Sequence, residues 1–295
     1  MAIKKNLKIK ENNELVVVKQ PKTKPYNDID LNNWKLYSNI KTGTWWEFSS
    51  REKTNGHTYD YHGNYIPQIA TQLIERYTKA NDIVLDLFFG SGTTGIEARN
   101  MKRRCIGVEL KQEMVDYVSS KFSPKELVVD VNIIQGDSAN PKTKDKIKSR
   151  LEIMGRENAQ LLILHPPYDD IIKFSDKKED LSNCSSTEEF YDLFKQVAQN
   201  GYDLLEQNRF AALIIGDKYA NSRYYSLGFE CQRRMEEIGF VTKAVIVKNI
   251  TGNEKAKGKD ANLWRYRALS GGFNIFEHEY IMIFQKTKLK QINKK

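Results

Sequence analysis

Val84-Leu85-Asp86-Leu87-Phe88-Phe89-Gly90-Ser91-Gly92-Thr93-Thr94-Gly95 is the stretch that decides the fold of this chain. Its apolar beginning predicts a buried strand, and Ile96-Glu97-Ala98-Arg99 after it predicts a helix. The glycines between them allow positive φ angles and a close approach of the backbone to a ligand. No Lys follows the last glycine, as a P-loop would require, and the spacing differs from the dinucleotide fingerprint. The stretch predicts a ligand-binding strand–turn–helix unit, with a plain tight connection as the alternative.

A second strand end with unusual chemistry follows about seventy residues later. The apolar run Leu161-Leu162-Ile163-Leu164 ends in His165-Pro166-Pro167-Tyr168. Two prolines stop the hydrogen bonding of a strand and leave a stiff loop with exposed carbonyl groups. In an open α/β sheet, ligands bind beyond the carboxyl ends of the strands. We therefore expect both motifs to face one pocket, although a simple strand-ending turn is the alternative for the second.

Strands and helices alternate through the rest of the chain. The predicted strands are 83–88, 104–109, 131–135, 160–165, 209–216, 240–249 and 279–285. The predicted helices begin near Tyr65 and then lie at 92–101, 111–121, 143–154, 187–206 and 228–238. Uniformly apolar strands such as Ala211–Ile215 favour a mostly parallel sheet with helices on both faces. No long helix can be placed between the last two strands, so the final strand is predicted to be antiparallel.

Taken together, the two motifs resemble those of the DNA amino-methyltransferases, which use S-adenosylmethionine to methylate adenine N6 or cytosine N4. The glycine stretch is similar to the cofactor motif Asp-x-Phe-x-Gly-Ser-Gly-Thr-Thr of that family. Residues 165–168 are similar to its catalytic motif Asp/Asn/Ser-Pro-Pro-aromatic, from which His165 departs. The resemblance implies an α/β fold with a Rossmann-like, seven-stranded methyltransferase sheet, mostly parallel with one antiparallel strand.

The resemblance also implies where S-adenosylmethionine binds. Glu109 ends the second strand, where a carboxylate can accept both ribose hydroxyls, and Asp137 follows the third strand, where the family has an acid facing the adenine amine. A helix cap or surface charge is the alternative for Glu109, and a turn-forming role is the alternative for Asp137. His62 and Pro67 loosely match a segment that closes over the methionine end, although His62 could be a satisfied loop histidine. The predicted cofactor-binding residues are Asp86, Phe88, Gly90, Ser91, Gly92, Thr93, Thr94, Glu109, Asp137, His62 and Pro67.

The chemistry of a base amine explains the second motif. An exocyclic amine is a poor nucleophile because its lone pair is delocalised into the ring, so acceptors for its hydrogens stabilise the positive charge that develops. The Pro166 carbonyl and a neutral His165 are the expected acceptors, and Tyr168 offers a ring for stacking on a flipped base. His165 then needs a partner for its other N–H. Protonation would remove its acceptor nitrogen, so we expect turnover to fall below a pH near its pKa, roughly 6.5 if unperturbed. The adjacent Asp169-Asp170 pair could orient His165 or be solvated. The predicted catalytic residues are His165, Pro166, Pro167 and Tyr168.

Composition favours a polyanionic partner and a reducing compartment. The 295 residues include 47 Lys and Arg against 38 Asp and Glu, a formal charge of +9, which suits nucleic acid. Three unclustered cysteines argue against disulfides and against a zinc site, and no metal is expected. No membrane-length apolar run and no signal peptide are visible, so we expect a cytoplasmic protein without a membrane partner. By the resemblance, it comes from a prokaryote or a phage.

Three regions flank or interrupt the predicted catalytic domain at 45–285. Residues 1–44, with nine Lys, are predicted to form a basic arm with one short strand at 14–19, and 286–295 a Lys-rich tail. Residues 250–277 are the candidate DNA-recognition insertion, in which basic residues for phosphates mix with aromatic residues for stacking. The alternative is a surface loop whose aromatic residues pack on the core. The predicted DNA-binding residues are Lys255, Lys257, Lys259, Trp264, Arg265 and Arg267.

The sequence thus predicts a DNA methyltransferase that acts on double-stranded DNA with the target base flipped out. Adenine N6 in a specific sequence is favoured on base rates alone, and cytosine N4 is the alternative. In the family, Asp or Asn at the first motif position often goes with adenine and Ser with cytosine, and His165 matches neither. A cognate restriction endonuclease, as in restriction-modification, is a candidate partner. An RNA guanine-N2 methyltransferase and a non-catalytic DNA-binding paralogue are the rival interpretations.

Overall fold

An eight-stranded sheet organises the computed structural model, which describes residues 7–9, 15–17, 22–54, 56–57, 63–250 and 261–287. The strands are β1 Leu7–Ile9, β2 Leu15–Val17, β3 Trp45–Trp46, β4 Ile83–Asp86, β5 Arg104–Glu109, β6 Val131–Gln135, β7 Ala159–Leu164, β8 Leu205–Ile215, β9 Lys218–Ala220, β10 Arg223–Tyr225, β11 Val241–Asn249 and β12 His278–Gln285. The helices are α1 Pro67–Tyr77, α2 Thr93–Asn100, α3 Gln112–Ser119, α4 Pro124–Val129, α5 Pro141–Ile153, α6 Thr187–Leu204, α7 Leu227–Ile238 and α8 Ala261–Gly271, with 3₁₀ turns at Leu31–Tyr37 and Leu181–Asn183.

The topology of the sheet confirms the predicted α/β fold. The strand order is β3-β11-β12-β8-β7-β4-β5-β6, in which only β12 runs antiparallel to its neighbours β8 and β11. The sheet has eight strands rather than the predicted seven, because the two-residue β3 pairs with the end of β11. The order reverses between β4 and β7, where Asp86 lies opposite Ile163. Ligands bind at such a switch point, beyond the carboxyl ends of the strands.

The boundaries of the predicted elements agree with the structure to within a few residues. Several of the shorter elements were not predicted from the sequence. Helix α4 has only six residues and begins with a Ser123–Glu126 capping box. The β9–β10 hairpin turns through Asn221 and Ser222, both with positive φ, and its three-residue strands are too short to show a periodic pattern. Helix α8 lies within the insertion that the sequence indicated as irregular. None of the described helices has the length and apolar character that crossing a bilayer requires.

The described part of the predicted N-terminal arm lies against the sheet domain. The ring of Tyr26 is 4.9 Å from that of Phe210, in an edge-on contact. Asn27 donates a hydrogen bond to the Arg76 carbonyl, and Asp28 is ion-paired with an arginine of the domain. Within residues 1–21, β1 pairs with β2, which falls inside the strand predicted at 14–19. The domain boundary at residue 44 remains a prediction.

One aromatic ring fills the space beneath the glycine turn. Phe89 is 3 % exposed and lies between α2 and the central strands. A Cβ added at Gly95 would lie 2.7 Å from this ring, and one added at Gly107 would lie 2.3 Å from it. Both glycines are therefore needed for packing, because a side chain at either position would displace the ring that supports the turn.

We expect Gly107→Ala to lower the free energy of unfolding by about 1–3 kcal/mol, the usual cost of overpacking a filled core. Urea unfolding followed by circular dichroism measures this change. Gly43→Ala is the matched control, because a Cβ at Gly43 meets nothing within 4 Å. A Gly107→Ala protein as stable as the Gly43→Ala protein would show that Phe89 does not pack as described.

Candidate active site

The glycine turn has the conformation that the sequence predicted. Gly90 and Gly92 both have positive φ, 50° and 83°, and Gly92 caps the beginning of α2. A Cβ at Gly92 would also lie 2.7 Å from a methyl group of Val118. The turn therefore combines a left-handed backbone with close packing at the switch point.

Asp86 lies under this turn and holds its shape. It is 1 % exposed, accepts a hydrogen bond from the Phe88 N–H at 2.9 Å, and accepts another from the Thr94 hydroxyl. Burial raises the pKa of Asp86 to about 6, although the two hydrogen bonds act in the opposite direction. These contacts make Asp86 a support of the turn, and its predicted role in cofactor binding remains a prediction.

Two further acids lie along the same edge of the sheet. Glu109, at the end of β5, accepts hydrogen bonds from the backbone N–H groups of Gly90 and Lys111, each at 3.0 Å. Asp137, beyond β6, is partly buried and accepts one from the Ala139 N–H at 2.8 Å. Burial raises the pKa of both carboxyl groups. The structure thus brings together the acids that the sequence identified at the ends of the first three strands.

This edge fits a nucleoside attached to a cationic amino acid. Glu109 accepts hydrogen bonds from the backbone N–H groups of Gly90, Lys111 and Leu110, and a carboxylate offers about four acceptor sites, so capacity for a hydroxyl group remains. Pro67 is the first residue of α1 and is buried, Phe88 is partly buried, and Ser91 and Thr93 are buried within the turn. His62 lies outside the described residues. The residues present are therefore compatible with S-adenosylmethionine.

Tyr65 connects the two predicted halves of the site. Its hydroxyl forms a hydrogen bond with the Thr94 hydroxyl, which in turn donates to Asp86. The edge of its ring contacts His165, with the ring centroids 5.2 Å apart. The sequence pattern matched His62 and Pro67 to a closing segment, but nothing in the sequence indicated Tyr65, which lies between them, as the contact residue.

Behind the Pro-Pro motif lies a chain of hydrogen bonds. His165 Nε2 is 3.4 Å from the Tyr168 hydroxyl, which donates to Glu279 at 2.7 Å, and Glu279 is ion-paired with Lys248 at 2.9 Å. A Cβ at Gly216 would lie 2.8 Å from the Tyr168 ring, so this glycine gives the ring its space. The second partner expected for His165 is therefore the Tyr168 hydroxyl, and sequence analysis missed both Glu279 and Lys248.

Within the Asp169-Asp170 pair, neither carboxylate contacts His165, and only Asp170 is exposed to solvent. Asp169 is 2 % exposed and accepts hydrogen bonds from Lys218 and Thr187, both at 2.7 Å. Asp170 contacts the same Lys218 ammonium at 2.5 Å. Both carboxylates are thus ion-paired through β9, and they fix the loop after the Pro-Pro motif instead of orienting His165.

The described part of the insertion places its basic side chains on the surface. Arg265 and Arg267 are exposed on α8, and the Arg267 guanidinium lies 5.2 Å from the centre of the partly buried Trp264 ring. Lys255, Lys257 and Lys259 lie outside the described residues. Contact of this insertion with DNA remains a prediction.

Comparison with known proteins identifies similar families. The N6/N4 methyltransferase family model, described as DNA methylase, matches residues 2–120. The type II methyltransferase M1.MboII of Moraxella bovis is 38 % identical over 92 residues, which cover 29 % of this chain and 35 % of that protein. M.Cfr9I of Citrobacter freundii is 32 % identical over 110 residues, which cover 32 % and 33 %. These matches confirm the resemblance to the DNA amino-methyltransferases, and with it S-adenosylmethionine as the family cofactor, while spanning about a third of each relative.

Solved structures with a similar arrangement of strands and helices have lower sequence identity to this chain than the relatives above. TrmN from Thermus thermophilus is 14 % identical, with a TM-score of 0.49, and covers 76 % of this chain and 50 % of its own. A methyltransferase from Pyrococcus furiosus is 12 % identical, with a TM-score of 0.47, and covers 78 % and 88 %. The fold assignment therefore rests on the strand order of the sheet and not on these similarities.

His165 is expected to stay neutral well below its ordinary titration range. The pKa of His165 is lowered to about 4: burial lowers it most, the Glu279 carboxylate raises it, and the Lys248 and Arg51 cations lower it. The loss of function expected near a pKa of roughly 6.5 for an unperturbed ring is thereby corrected to a lower pH. A nuclear magnetic resonance titration should give a midpoint for His165 near pH 4, and a midpoint near 6.5 would contradict this lowered pKa.

The same shift has a thermodynamic consequence with a definite sign. Between pH 6.5 and about 4, the unfolded chain binds a proton at His165 that the folded protein does not, so acidification lowers the free energy of unfolding. The raised pKa of Asp86 acts in the opposite direction over a similar range. His165→Asn removes only the first effect, so its free energy of unfolding should fall less than that of the parent between pH 7 and pH 5 in urea titrations.

Proposed function

Because its N-terminal part carries the DNA methylase signature, we propose that this protein transfers a methyl group from S-adenosylmethionine to an exocyclic amine of a base in double-stranded DNA. The observation that carries the proposal is the position of Tyr65, which is hydrogen-bonded to the glycine-turn helix and in contact with His165. The predicted cofactor turn and the predicted catalytic motif therefore face one site. When bound, the cofactor supplies an electrophilic methyl group.

The residues around His165 suit the amine of a base rotated out of the duplex. The Pro166 carbonyl is freed from strand pairing by Pro167, and a neutral His165 ring offers a second acceptor. Acceptors in a partly dry site stabilise the charge that develops on the amine nitrogen as it is methylated. We propose adenine N6 as the target, with cytosine N4 as the alternative, because both present the same amine to these acceptors.

The surface next to this site has features that suit nucleic acid. A cavity of about 370 Å³ lies between the β9–β10 hairpin and the segment before β12. Its lining consists of four aromatic residues, one histidine, one amide and one aliphatic residue: Tyr219, Tyr224, Phe273, Phe276, His278, Asn274 and Ile275. Strand β9 follows Gly216, which contacts Tyr168, so the cavity is close to the motif. Aromatic surfaces stack on unpaired bases, and the exposed Arg265 and Arg267 on α8 can meet phosphates.

The division of the site predicts a split between cofactor binding and turnover. Glu109→Gln should weaken cofactor binding about tenfold or more, because a charge-assisted acceptor is lost. Tyr168→Ala should leave the cofactor dissociation constant nearly unchanged and lower kcat. Calorimetry measures the first quantity, and tritium transfer to duplex DNA measures the second. Glu113→Gln, at an exposed acid on α3, is the matched control.

Two outcomes of these assays would redirect the proposal. An equal loss of cofactor affinity in Tyr168→Ala would contradict the assignment of the two motifs to separate halves of the site. Transfer to tRNA but not to duplex DNA would favour the RNA methyltransferase, and cofactor binding without transfer to either would favour the non-catalytic paralogue.

The salt dependence of DNA binding tests the role of α8. Each phosphate contact that is lost should lower the slope of log binding constant against log salt by about 0.9. Arg265→Gln with Arg267→Gln should therefore lower this slope by up to about 1.8 on the same basis. Lys148→Gln with Arg150→Gln, at exposed residues of α5, is the charge-matched control. Equal slopes in both double variants would place the DNA path elsewhere.

A further inference from the structure

A buried ion pair lies behind the Pro-Pro motif, at the same edge of the sheet. Lys248 and Glu279 are direct cross-strand partners on β11 and β12, and they are 5 % and 7 % exposed. Glu279 lies at the beginning of the antiparallel β12 and Lys248 near the end of β11, so both face the ligand-binding edge. Burial alone would raise the pKa of Glu279, but the Lys248 ammonium and other neighbours lower it overall, so the carboxylate stays ionised.

The ionised carboxylate determines the direction of the hydrogen bonds in the chain. A carboxylate can only accept, so the Tyr168 hydroxyl must donate its proton to Glu279 Oε2 at 2.7 Å. Burial and Glu279 also raise the pKa of Tyr168 well above its ordinary value, so its proton stays in place. The oxygen of Tyr168 then faces His165 Nε2, at 3.4 Å, as an acceptor. In a neutral ring, Nε2 therefore carries the proton and Nδ1 keeps its lone pair.

We propose that Glu279, held by Lys248, is a positioning residue that fixes the Nε2–H tautomer of His165 through the Tyr168 hydroxyl. The tautomer leaves Nδ1 as the acceptor for the target amine. Glu279 and Lys248 act through Tyr168 and touch neither substrate nor cofactor. The proposal deepens the proposed function and rests on it for the identity of the amine, but the tautomer itself is a property of the free protein.

The energetics of the pair favour such a role over a purely stabilising one. Removing two charges from water costs several kcal/mol per ion, and a buried ion pair is often no more stabilising than two apolar side chains. The pair here is also connected to a functional motif by good hydrogen-bond donors and acceptors in sequence: ammonium, carboxylate, hydroxyl and imidazole. In such a chain, Lys248 keeps Glu279 ionised, Glu279 orients the Tyr168 hydroxyl, and the Tyr168 oxygen then determines which His165 nitrogen carries the proton.

Nitrogen-15 nuclear magnetic resonance of the histidine rings tests the proposal on the free full-length protein. The parent should show His165 protonated at Nε2 and unprotonated at Nδ1, with the His165→Asn variant identifying the signal. In Tyr168→Phe and in Glu279→Gln, the Nε2–H proton should exchange with water about tenfold faster, because the hydrogen bond that protects it is lost or weakened. Protonation at Nδ1 in the parent would overturn the proposal, as would unchanged exchange in a folded Tyr168→Phe protein.

Tyr280→Phe provides the matched control, because the Tyr280 hydroxyl lies 3.3 Å from His278 Nε2 in a neighbouring but separate pair. This variant should leave the His165 signal unchanged. Kinetics give the second test. Glu279→Gln should lower kcat about tenfold or more, with little change in the cofactor dissociation constant. Glu279→Asp keeps a carboxylate, so its kcat should lie between those of Glu279→Gln and the parent. A lost cofactor affinity in Glu279→Gln would mean a merely structural role. If no methyl transfer occurs at all, the proposed function fails while the tautomer result stands.

Discussion

The hydrogen bonds from Tyr65 to Thr94 and from Thr94 to Asp86 are the interaction on which the rest of the site depends. Asp86 ends the central strand and is buried, so its carboxylate must be satisfied by the turn that follows it. Thr94 satisfies it from the first turn of α2, and Tyr65 reaches Thr94 from the chain before α1. One buried carboxylate thus fixes the glycine turn. The same hydrogen bonds hold the ring of Tyr65, which packs against His165 and so helps to fix its position.

Desolvation gives the Pro-Pro motif its electrostatic character. The same low polarity that lowers the pKa of His165 to about 4 keeps its ring neutral, which an acceptor of amine hydrogens requires. The same low polarity destabilises an unpaired buried charge. Glu279 is therefore paired with Lys248, and the Tyr168 hydroxyl donates a hydrogen bond to Glu279 and so connects the ion pair to the motif. By the resemblance, His165 stands where the family has an oxygen acceptor, and we propose that this buried network allows a neutral imidazole to serve in that position.

The sequence predicted the parts of the fold that depend on local pattern. The strand ends at Asp86, Glu109 and Leu164 could be located because apolar runs stop there at glycine, acid or proline residues. Strand β3 could not be predicted, because two residues carry no period and their pairing with β11 is a tertiary contact. Glu279 is 111 residues beyond Tyr168, and only the insertion of β12 between β8 and β11 brings it to the motif. Sequence spacing contains no information about such cross-strand partners.

The proposed activity at this edge of the sheet is the methylation of an exocyclic amine of DNA. Mass spectrometry of nucleosides, after incubation of duplex DNA with a donor whose methyl group carries deuterium, tests it most directly. The account predicts a labelled methyl group on adenine N6, or on cytosine N4 as the stated alternative, and a much slower appearance of that label when Tyr168 is replaced by Ala. Labelled guanine in tRNA with unlabelled DNA, or no labelled nucleoside although the donor is bound, would contradict it.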